Sequence, residues 1–403
     1  MRRHPKLASP IAVIALSLCA ASTSVARTEP DTMLPASTLS TPPAATPAQK
    51  QIDEARAVLA IRPGDVKKLN SLAVGLTRRA RETGDPSYYD QAWQALEEAR
   101  RRNPDSLETL RISAWVSMGR HEFAKAHAIA KRYDRRSPGD PWNLSVLGDA
   151  AMELGRYREA EQSYQRMVDL KPGPAAYSRV AYLREARGDL EGALGMMQMA
   201  LDATDSRECE DRAWLLVQVA HLQDLLHRSE DAEKSYKAAL ASFPGYHYAL
   251  AGLSELELRR GEGERAVALA RQALEAAPHA ERYLLLADAL RATGEKEPAS
   301  RAEADFERLA LGNLDKPDNE NHDLVLYYLE RRPDPPRALA IALREATRRK
   351  DIHTLDRLAL ALHACGENRR GRRLMQEVLS VGTRDPLILR HAESIGVRPP
   401  TGP

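Results

Sequence analysis

An alanine returns at a nearly constant interval along most of this chain. The series runs Ala92, Ala124, Ala160, Ala193, Ala232, Ala266 and Ala299, in steps of 32 to 39 residues. A repeat of this length is typical of stacked helix pairs, because one pair alone cannot bury its apolar face and needs neighbours. The interval therefore predicts an array of repeated helical units and excludes most folds that are built around one central core.

From about residue 48 onward, the residue types favour helices throughout. Alanine and leucine dominate, and aromatic residues make up only 5% of the chain. No stretch alternates apolar and polar residues in the way that a half-buried strand requires. We therefore expect an all-α protein.

The clearest unit occupies residues 141–172. Its characteristic residues are Pro141, Trp142, Leu147, Gly148, Gly155, Tyr157, Ala160, Tyr164 and Pro172. This pattern resembles the tetratricopeptide repeat, and further copies follow to about residue 395. The resemblance implies a right-handed superhelical solenoid of about eight to nine helix pairs. The run at residues 80–89 is similar to one in exported bacterial proteins of this kind, which have no established catalytic residues.

The small residues of each unit have a physical role. Gly148, Ala181 and Ala220 occupy the place in the first helix where the second helix crosses, and the periodic alanine lies opposite. A bulky side chain at either place would hold the helices apart, at about 1–3 kcal/mol. One unit, residues 66–104, differs because residues 78–86 add about two helical turns to its first helix.

Composition and spacing divide the chain into six segments. The predicted segments are a signal peptide at 1–26, a Pro/Ser/Thr-rich tether at 27–47, a solenoid at 48–308, an irregular loop with a degenerate helix pair at 309–351, a C-terminal repeat with a capping helix at 352–396, and a tail at 397–403.

The first 26 residues have the pattern of an export signal. A basic start precedes an apolar stretch at residues 7–21, and Ala26 ends a small-x-small cleavage pattern. We therefore expect a periplasmic or secreted protein with no membrane span after cleavage. An uncleaved anchor is one alternative. A lipoprotein modified at Cys19 is another, although Leu18 is larger than the residue that such a signal requires.

Charge and cysteine content restrict the partners. Without residues 1–26, 56 lysines and arginines face 57 aspartates and glutamates, so neither nucleic acid nor an anionic membrane surface is favoured. Cys209 and Cys365 lie about four repeats apart, too far for a disulfide. We expect both to be free thiols.

Motifs for catalysis, metals or cofactors are missing from the sequence. His121 and Glu122 begin a zinc-protease pattern, but Lys125 stands where the second histidine is needed. His353 and His363 would lie nearly three helical turns apart, too far to share a metal. No phosphate-binding glycine loop, nucleophile elbow or Cys-x-x-Cys pair occurs. We expect no cofactor, no metal site and no catalysis.

The resemblance also implies which residues line the concave groove of the solenoid. The candidate peptide-binding residues are Trp142, Asp149, Tyr182, Trp214, His221, Asp224, Tyr248, Glu255, Asp288 and Arg291. Large aromatic residues often anchor a partner, and the acidic excess favours a partner with basic character. The alternative for the aromatic residues is that they pack between neighbouring repeats.

We therefore predict a non-catalytic scaffold or adaptor that binds peptide segments of partner proteins in its groove, within an envelope-associated complex. Two alternatives remain open at this point. The first is a self-associating structural subunit of an envelope or secretion assembly. The second is an enzyme of cell-wall or glycan metabolism. The sequence indicates neither the partner nor the oligomeric state.

Overall fold

The computed structural model describes residues 46–315 and 320–399, and within these ranges every regular element is helical. The predicted signal peptide and nearly all of the predicted tether lie outside the described residues. The helices are α1 Pro47–Ile61, α2 Val66–Thr83, α3 Ser87–Arg102, α4 Leu107–Gly119, α5 Phe123–Arg136, α6 Pro141–Glu153, α7 Tyr157–Leu170, α8 Pro174–Ala186, α9 Leu190–Asp202, α10 Cys209–Leu225, α11 Ser229–Ser242, α12 His247–Arg260, α13 Gly263–Ala276, α14 Ala280–Ala292, α15 Lys296–Gly312, α16 Glu320–Leu326 with a π-helical turn Tyr327–Arg331, α17 Pro335–Glu345, α18 Ile352–Ala364, α19 Asn368–Ser380 and α20 Pro386–Ser394.

Helices α2 to α19 form nine successive pairs, with α1 and α20 at the two ends. In each pair the even-numbered helix is the first helix and the odd-numbered helix is the second. Most successive first helices contact one another, whereas no neighbouring second helices in the described part approach as closely. The first helices therefore lie on the inner side of the curve. The predicted all-α solenoid is confirmed.

Local sequence determines where a helix begins and ends, as α6 illustrates. The Asp140 carboxylate accepts a hydrogen bond from the Trp142 backbone N–H at 2.9 Å, and Pro141 occupies the first turn. Both features stabilise a helix start. Two residues beyond the end of α6, Gly155 has φ +70°, the left-handed conformation that terminates a helix.

Small residues allow the two helices of a pair to approach closely, as predicted. A Cβ atom placed on Gly148 of α6 would lie 2.2 Å from Cε1 of Tyr164 in α7. A similar close approach joins successive pairs, because a Cβ atom placed on Gly252 of α12 would lie 2.3 Å from Cζ of Tyr236 in α11, the second helix of the preceding pair. Ala160, which the repeat places in the second helix, has no exposed surface. A larger side chain at these points would separate the packed helices.

One member of the predicted alanine series is wrong. Ala124 is exposed, whereas Ala126, like Ala130 one turn later in α5, is fully buried. The error arises because His121 has φ +53° and takes the place of the turn glycine. Ala126 follows it by five residues, as Ala160 follows Gly155. With Ala126 in the series, the first two intervals become equal.

The solenoid closes on itself after six helix pairs. The Lys350 backbone N–H donates to the Glu153 carbonyl oxygen at 2.8 Å, and the Ile352 N–H donates to the Tyr157 hydroxyl at 2.9 Å. The backbones also meet at Gly188, where a Cβ atom would lie 2.4 Å from the carbonyl oxygen of residue 382. We term this contact, between residues 153–157 and 186–190 of the first turn and residues 349–353 and 382–385 of the second, the turn seam.

The additional turns of α2 extend this closure to the start of the chain. Arg81 is 4% exposed, and its Nη2 lies 2.7 Å from the Glu210 carboxylate and 3.1 Å from that of Asp211. The pKa of Arg81 is raised because, although burial acts against the cation, these two carboxylates stabilise it. Residues 78–86 therefore bridge from the first pair to α10.

We expect Gly155→Ala to destabilise the protein more than Gly366→Ala does. Both glycines end a first helix with positive φ, so alanine costs each about 1–2 kcal/mol in backbone strain. Only Gly155 lies at the turn seam, where the new Cβ would be 2.5 Å from the Lys350 carbonyl oxygen, while nothing lies within 4 Å at Gly366. Urea unfolding should show an additional loss of about 1–3 kcal/mol for Gly155→Ala. Equal losses would contradict the turn seam.

We expect His227→Gly to stabilise the protein by about 0.5–1 kcal/mol. His227 is exposed and has φ +62°, which strains a side chain with a Cβ atom. The free energy gained by relieving that strain is larger than the free energy lost because glycine has more conformational entropy in the unfolded chain. Thermal and urea unfolding measure the change, and His227→Ala serves as control because it keeps the strain. A glycine variant no more stable than the alanine variant would refute the account.

Candidate binding surface

The inner side of the solenoid carries a series of ion pairs between successive first helices. Arg179 of α8 is 5% exposed and binds Asp149 of α6 through two hydrogen bonds, Nε to Oδ1 at 2.9 Å and Nη2 to Oδ2 at 2.8 Å. The Tyr164 hydroxyl donates a hydrogen bond to Asp149 Oδ1 at 2.9 Å. A bidentate arginine–carboxylate pair in this setting fixes the relative position of the two helices.

The next two pairs of first helices are joined in the same way. His221 Nε2 of α10 lies 2.9 Å from Glu185 Oε1 of α8, and Arg259 Nη2 of α12 lies 2.6 Å from Asp224 Oδ2 of α10. Burial acts to lower the pKa of His221, but Glu185 outweighs it and the pKa is raised. Together with Asp149, the predicted binding residues His221 and Asp224 are therefore partners in ion pairs.

The series continues at the far end of the first-helix surface. Asp288 of α14 accepts a hydrogen bond from Arg331 Nη2 at 2.8 Å, and Arg291 Nη2 lies 2.5 Å from Glu303 Oε2. The Arg291 side chain remains 40% exposed and that of Asp288 32% exposed. Asp288 and Arg291 are therefore held in place and still accessible to a partner.

Glu255 has a different environment from the other predicted carboxylates. Burial raises the pKa of Glu255 to about 7, although Arg259 and Arg282 act to lower it. Near neutral pH this carboxyl group is therefore only partly ionised. Together with the ion pairs, this offsets much of the acidic excess that the sequence places on the inner surface.

The predicted aromatic residues lie in different surroundings. Trp214 is 4% exposed and belongs to the apolar cluster between α9, α10 and α11. For this residue, the alternative of packing between repeats is the one that applies. Its local sequence could not distinguish the two outcomes, because an aromatic residue suits both.

The other three aromatic residues are half-buried. Trp142 packs edge-on against Trp115 with ring centroids 5.5 Å apart, and Arg111 lies 4.4 Å above its ring. Tyr248 has Arg282 at 5.6 Å from its ring centroid. Tyr182 lies at the turn seam, where burial raises its pKa well above the usual value. Binding by the nine residues other than Trp214 stays a prediction.

A small cleft, partly open to solvent, lies at the turn seam. Its walls come from the first turn through Met152, Tyr157, Tyr182 and Glu185, and from the second turn through residues including Ile352. Sequence reasoning missed Tyr157 and Ile352 as surface-forming residues. No local signal could have found their contact, because the two residues are 195 positions apart and the repeat does not relate them.

The described residues offer no metal centre or membrane span. No group of three or more His, Cys, Asp or Glu side chains among them could hold a metal ion. None of their helices is long and apolar enough to cross a membrane. Cys209 and Cys365 are free thiols, as expected.

Comparison with known proteins identifies the repeat. The family model described as tetratricopeptide repeat matches residues 146–208 and 226–281. Comparison with curated protein sequences gives no significant match.

Solved structures show similarity of fold at low sequence identity. The chain is similar to one in the crystal structure of the APC/C hetero-tetramer Cut9-Hcn1, with TM-score 0.54, 15% identity, and coverage of 80% of this chain and 61% of that chain. This chain thus spans less than two thirds of that one. PilW, a type IV pilus biogenesis factor, has TM-score 0.44 and 16% identity, covering 50% of this chain and 92% of that chain. Human IFIT1 has TM-score 0.47 and 13% identity, and the match covers 88% of this chain and 95% of that chain.

The matched segments agree with the helix pairs of the structure. Residues 146–208 span most of α6 through α9, and residues 226–281 span α11 through α13 with their flanking turns. Repeats of this type generally build non-catalytic scaffolds for protein–protein interaction. This chain carries tetratricopeptide repeats at residues 146–208 and 226–281, and its described helices form the solenoid typical of that repeat.

Proposed function

We propose that this protein is an exported, non-catalytic scaffold that binds segments of partner proteins on its inner surface, as part of an envelope-associated complex. The observation that carries the proposal is the series of ion pairs between successive first helices. These pairs hold the inner surface in one arrangement before any partner arrives, so little ordering free energy is spent on binding.

The C-terminal ends of α12 and α14 are not covered by the second turn of the solenoid. Gly261 and Gly294, which follow these helices, have no other chain segment within 4 Å of the position of a Cβ atom. By contrast, Gly155 and Gly188 in the first turn are covered by the second turn. We therefore place the partner segment across α12 and α14, in contact with Arg291.

Two further parts of the proposal rest on the sequence. The export signal at residues 1–26 supports a periplasmic or secreted location. The lack of catalytic motifs supports a scaffold over an enzyme of cell-wall or glycan metabolism. A preference for basic partners is no longer part of the proposal, because Arg179, Arg259 and Arg331 pair with the carboxylates that suggested it.

We expect Arg291→Glu to reduce capture of partner proteins about tenfold, which corresponds to about 1.4 kcal/mol. The change reverses a charge that is 40% exposed on the inner surface, and a charge reversal at a binding surface opposes the partner's complementary groups. The measurement is affinity capture from an envelope extract of the source cells, with captured proteins quantified by mass spectrometry.

The matched control is Lys234→Glu on α11. Lys234 also forms an ion pair with an aspartate three residues away, and its side chain is 74% exposed on a second helix. The control should capture the same proteins as the unmodified chain, and circular dichroism should show that both variants are folded. Equal capture by all three proteins would contradict binding at α12 and α14.

A further inference from the structure

A late segment of the chain packs against the turn between two helices of an earlier pair. Residues 349–353, which lead into α18, lie against the end of α6 and the start of α7. Two backbone groups of this segment donate hydrogen bonds to the first turn, from Lys350 N–H to the Glu153 carbonyl oxygen and from Ile352 N–H to the Tyr157 hydroxyl, at 2.8 and 2.9 Å. The segment therefore contacts the surface through its backbone, as a bound peptide does.

Two side chains anchor the same segment. The Arg349 side chain is 9% exposed and makes an ion pair with the equally buried Glu153, Nη2 to Oε2 at 2.5 Å. Its guanidinium group also lies 5.1 Å from the centroid of the Phe123 ring. Three residues later, Ile352 is 5% exposed and joins the apolar cluster that contains Met152. A buried arginine and a buried apolar side chain are typical anchors of a protein interface.

Without residues 349–353, the site would still offer the groups that a peptide-binding surface needs. Glu153 supplies a carboxylate, Phe123 an aromatic face, Met152 an apolar wall and Tyr157 a hydrogen-bond acceptor. Access for a backbone is provided by Gly155, because any side chain there would collide with the Lys350 carbonyl oxygen. The adjoining cleft at the turn seam continues this surface toward Glu185.

We propose that residues 349–353 are an internal occupant of a second partner-binding site, formed by Phe123, Met152, Glu153 and Tyr157. The site takes a segment that carries an arginine three positions before an isoleucine or a similar apolar residue, with the apolar residue at the start of a helix as in α18. Such a segment displaces residues 349–353 and separates the two turns at the turn seam. This inference deepens the proposed function and rests on it, since it gives the chemistry of one partner segment.

The test adds the internal segment back as a separate peptide. The probe is a fluorescein-labelled peptide of residues 346–354, Ala-Thr-Arg-Arg-Lys-Asp-Ile-His-Thr. It is titrated with the full chain and with a released variant, Arg349→Ala with Ile352→Ala, and anisotropy reports binding. We expect the released variant to bind the peptide at least tenfold more tightly than the unmodified chain. A peptide with alanine in place of Arg349 should bind at least tenfold more weakly.

A second experiment compares a variant that opens the turn seam without changing the site with a control variant that leaves the seam closed. Gly188→Ala places a Cβ atom 2.4 Å from the carbonyl oxygen of residue 382, whereas Gly366→Ala introduces the same strain where nothing lies within 4 Å. We expect tighter peptide binding for Gly188→Ala and unchanged binding for Gly366→Ala. Adding Glu153→Gln to the released variant should weaken binding about tenfold.

Two results would overturn the inference. One is equal peptide affinity for the unmodified chain, the released variant and Gly188→Ala. The other is no detectable binding by either opened variant while circular dichroism shows both to be helical. Because Arg291 lies on α14, away from this site, partner capture that depends on Arg291 would then leave the proposed function intact. Peptide binding without such capture would instead contradict the placement at α12 and α14.

Discussion

The close approach of two helices at a small residue is the contact on which the rest of this structure depends. At Gly148 the ring of Tyr164 occupies the space of a side chain, and the Tyr164 hydroxyl then reaches Asp149. Asp149 in turn binds Arg179 of the next pair. The packing within one pair thus positions the ion pair between pairs, and stability accumulates through nearest-neighbour contacts.

The same repeated geometry leads to closure of the solenoid. Each pair is rotated against the preceding one, so after six pairs the end of one first helix meets the start of another, as Glu153 meets Lys350. The glycines that end the first helices then have two roles. They allow the left-handed backbone conformation, and at Gly155 and Gly188 they leave room for the backbone of the next turn. The ends of α12 and α14 are therefore open, whereas the end of α6 is covered by the second turn.

The sequence predicted local structure well and long-range contacts poorly, for a physical reason. Small residues, turn glycines and capping residues act within one unit, so the period was enough to predict the helix pairs. The error at Ala124 came from an exception in one turn, where His121 adopts the conformation of a glycine. Trp214 is buried among the neighbouring helices α9 and α11, where the repeat allows an aromatic residue either to pack or to face the groove. The contact of Ile352 with Tyr157 joins units that lie far apart in the chain, and no periodicity encodes it.

The most direct test of this account is the distance between spin labels at positions 156 and 350, measured by pulsed electron resonance with Cys209 and Cys365 replaced by serine. The two positions are on opposite sides of the turn seam and nearly 200 residues apart in sequence. The account predicts one narrow distribution at a short distance, set mainly by the two label side chains. A broad distribution at long distances would contradict closure of the solenoid after six pairs.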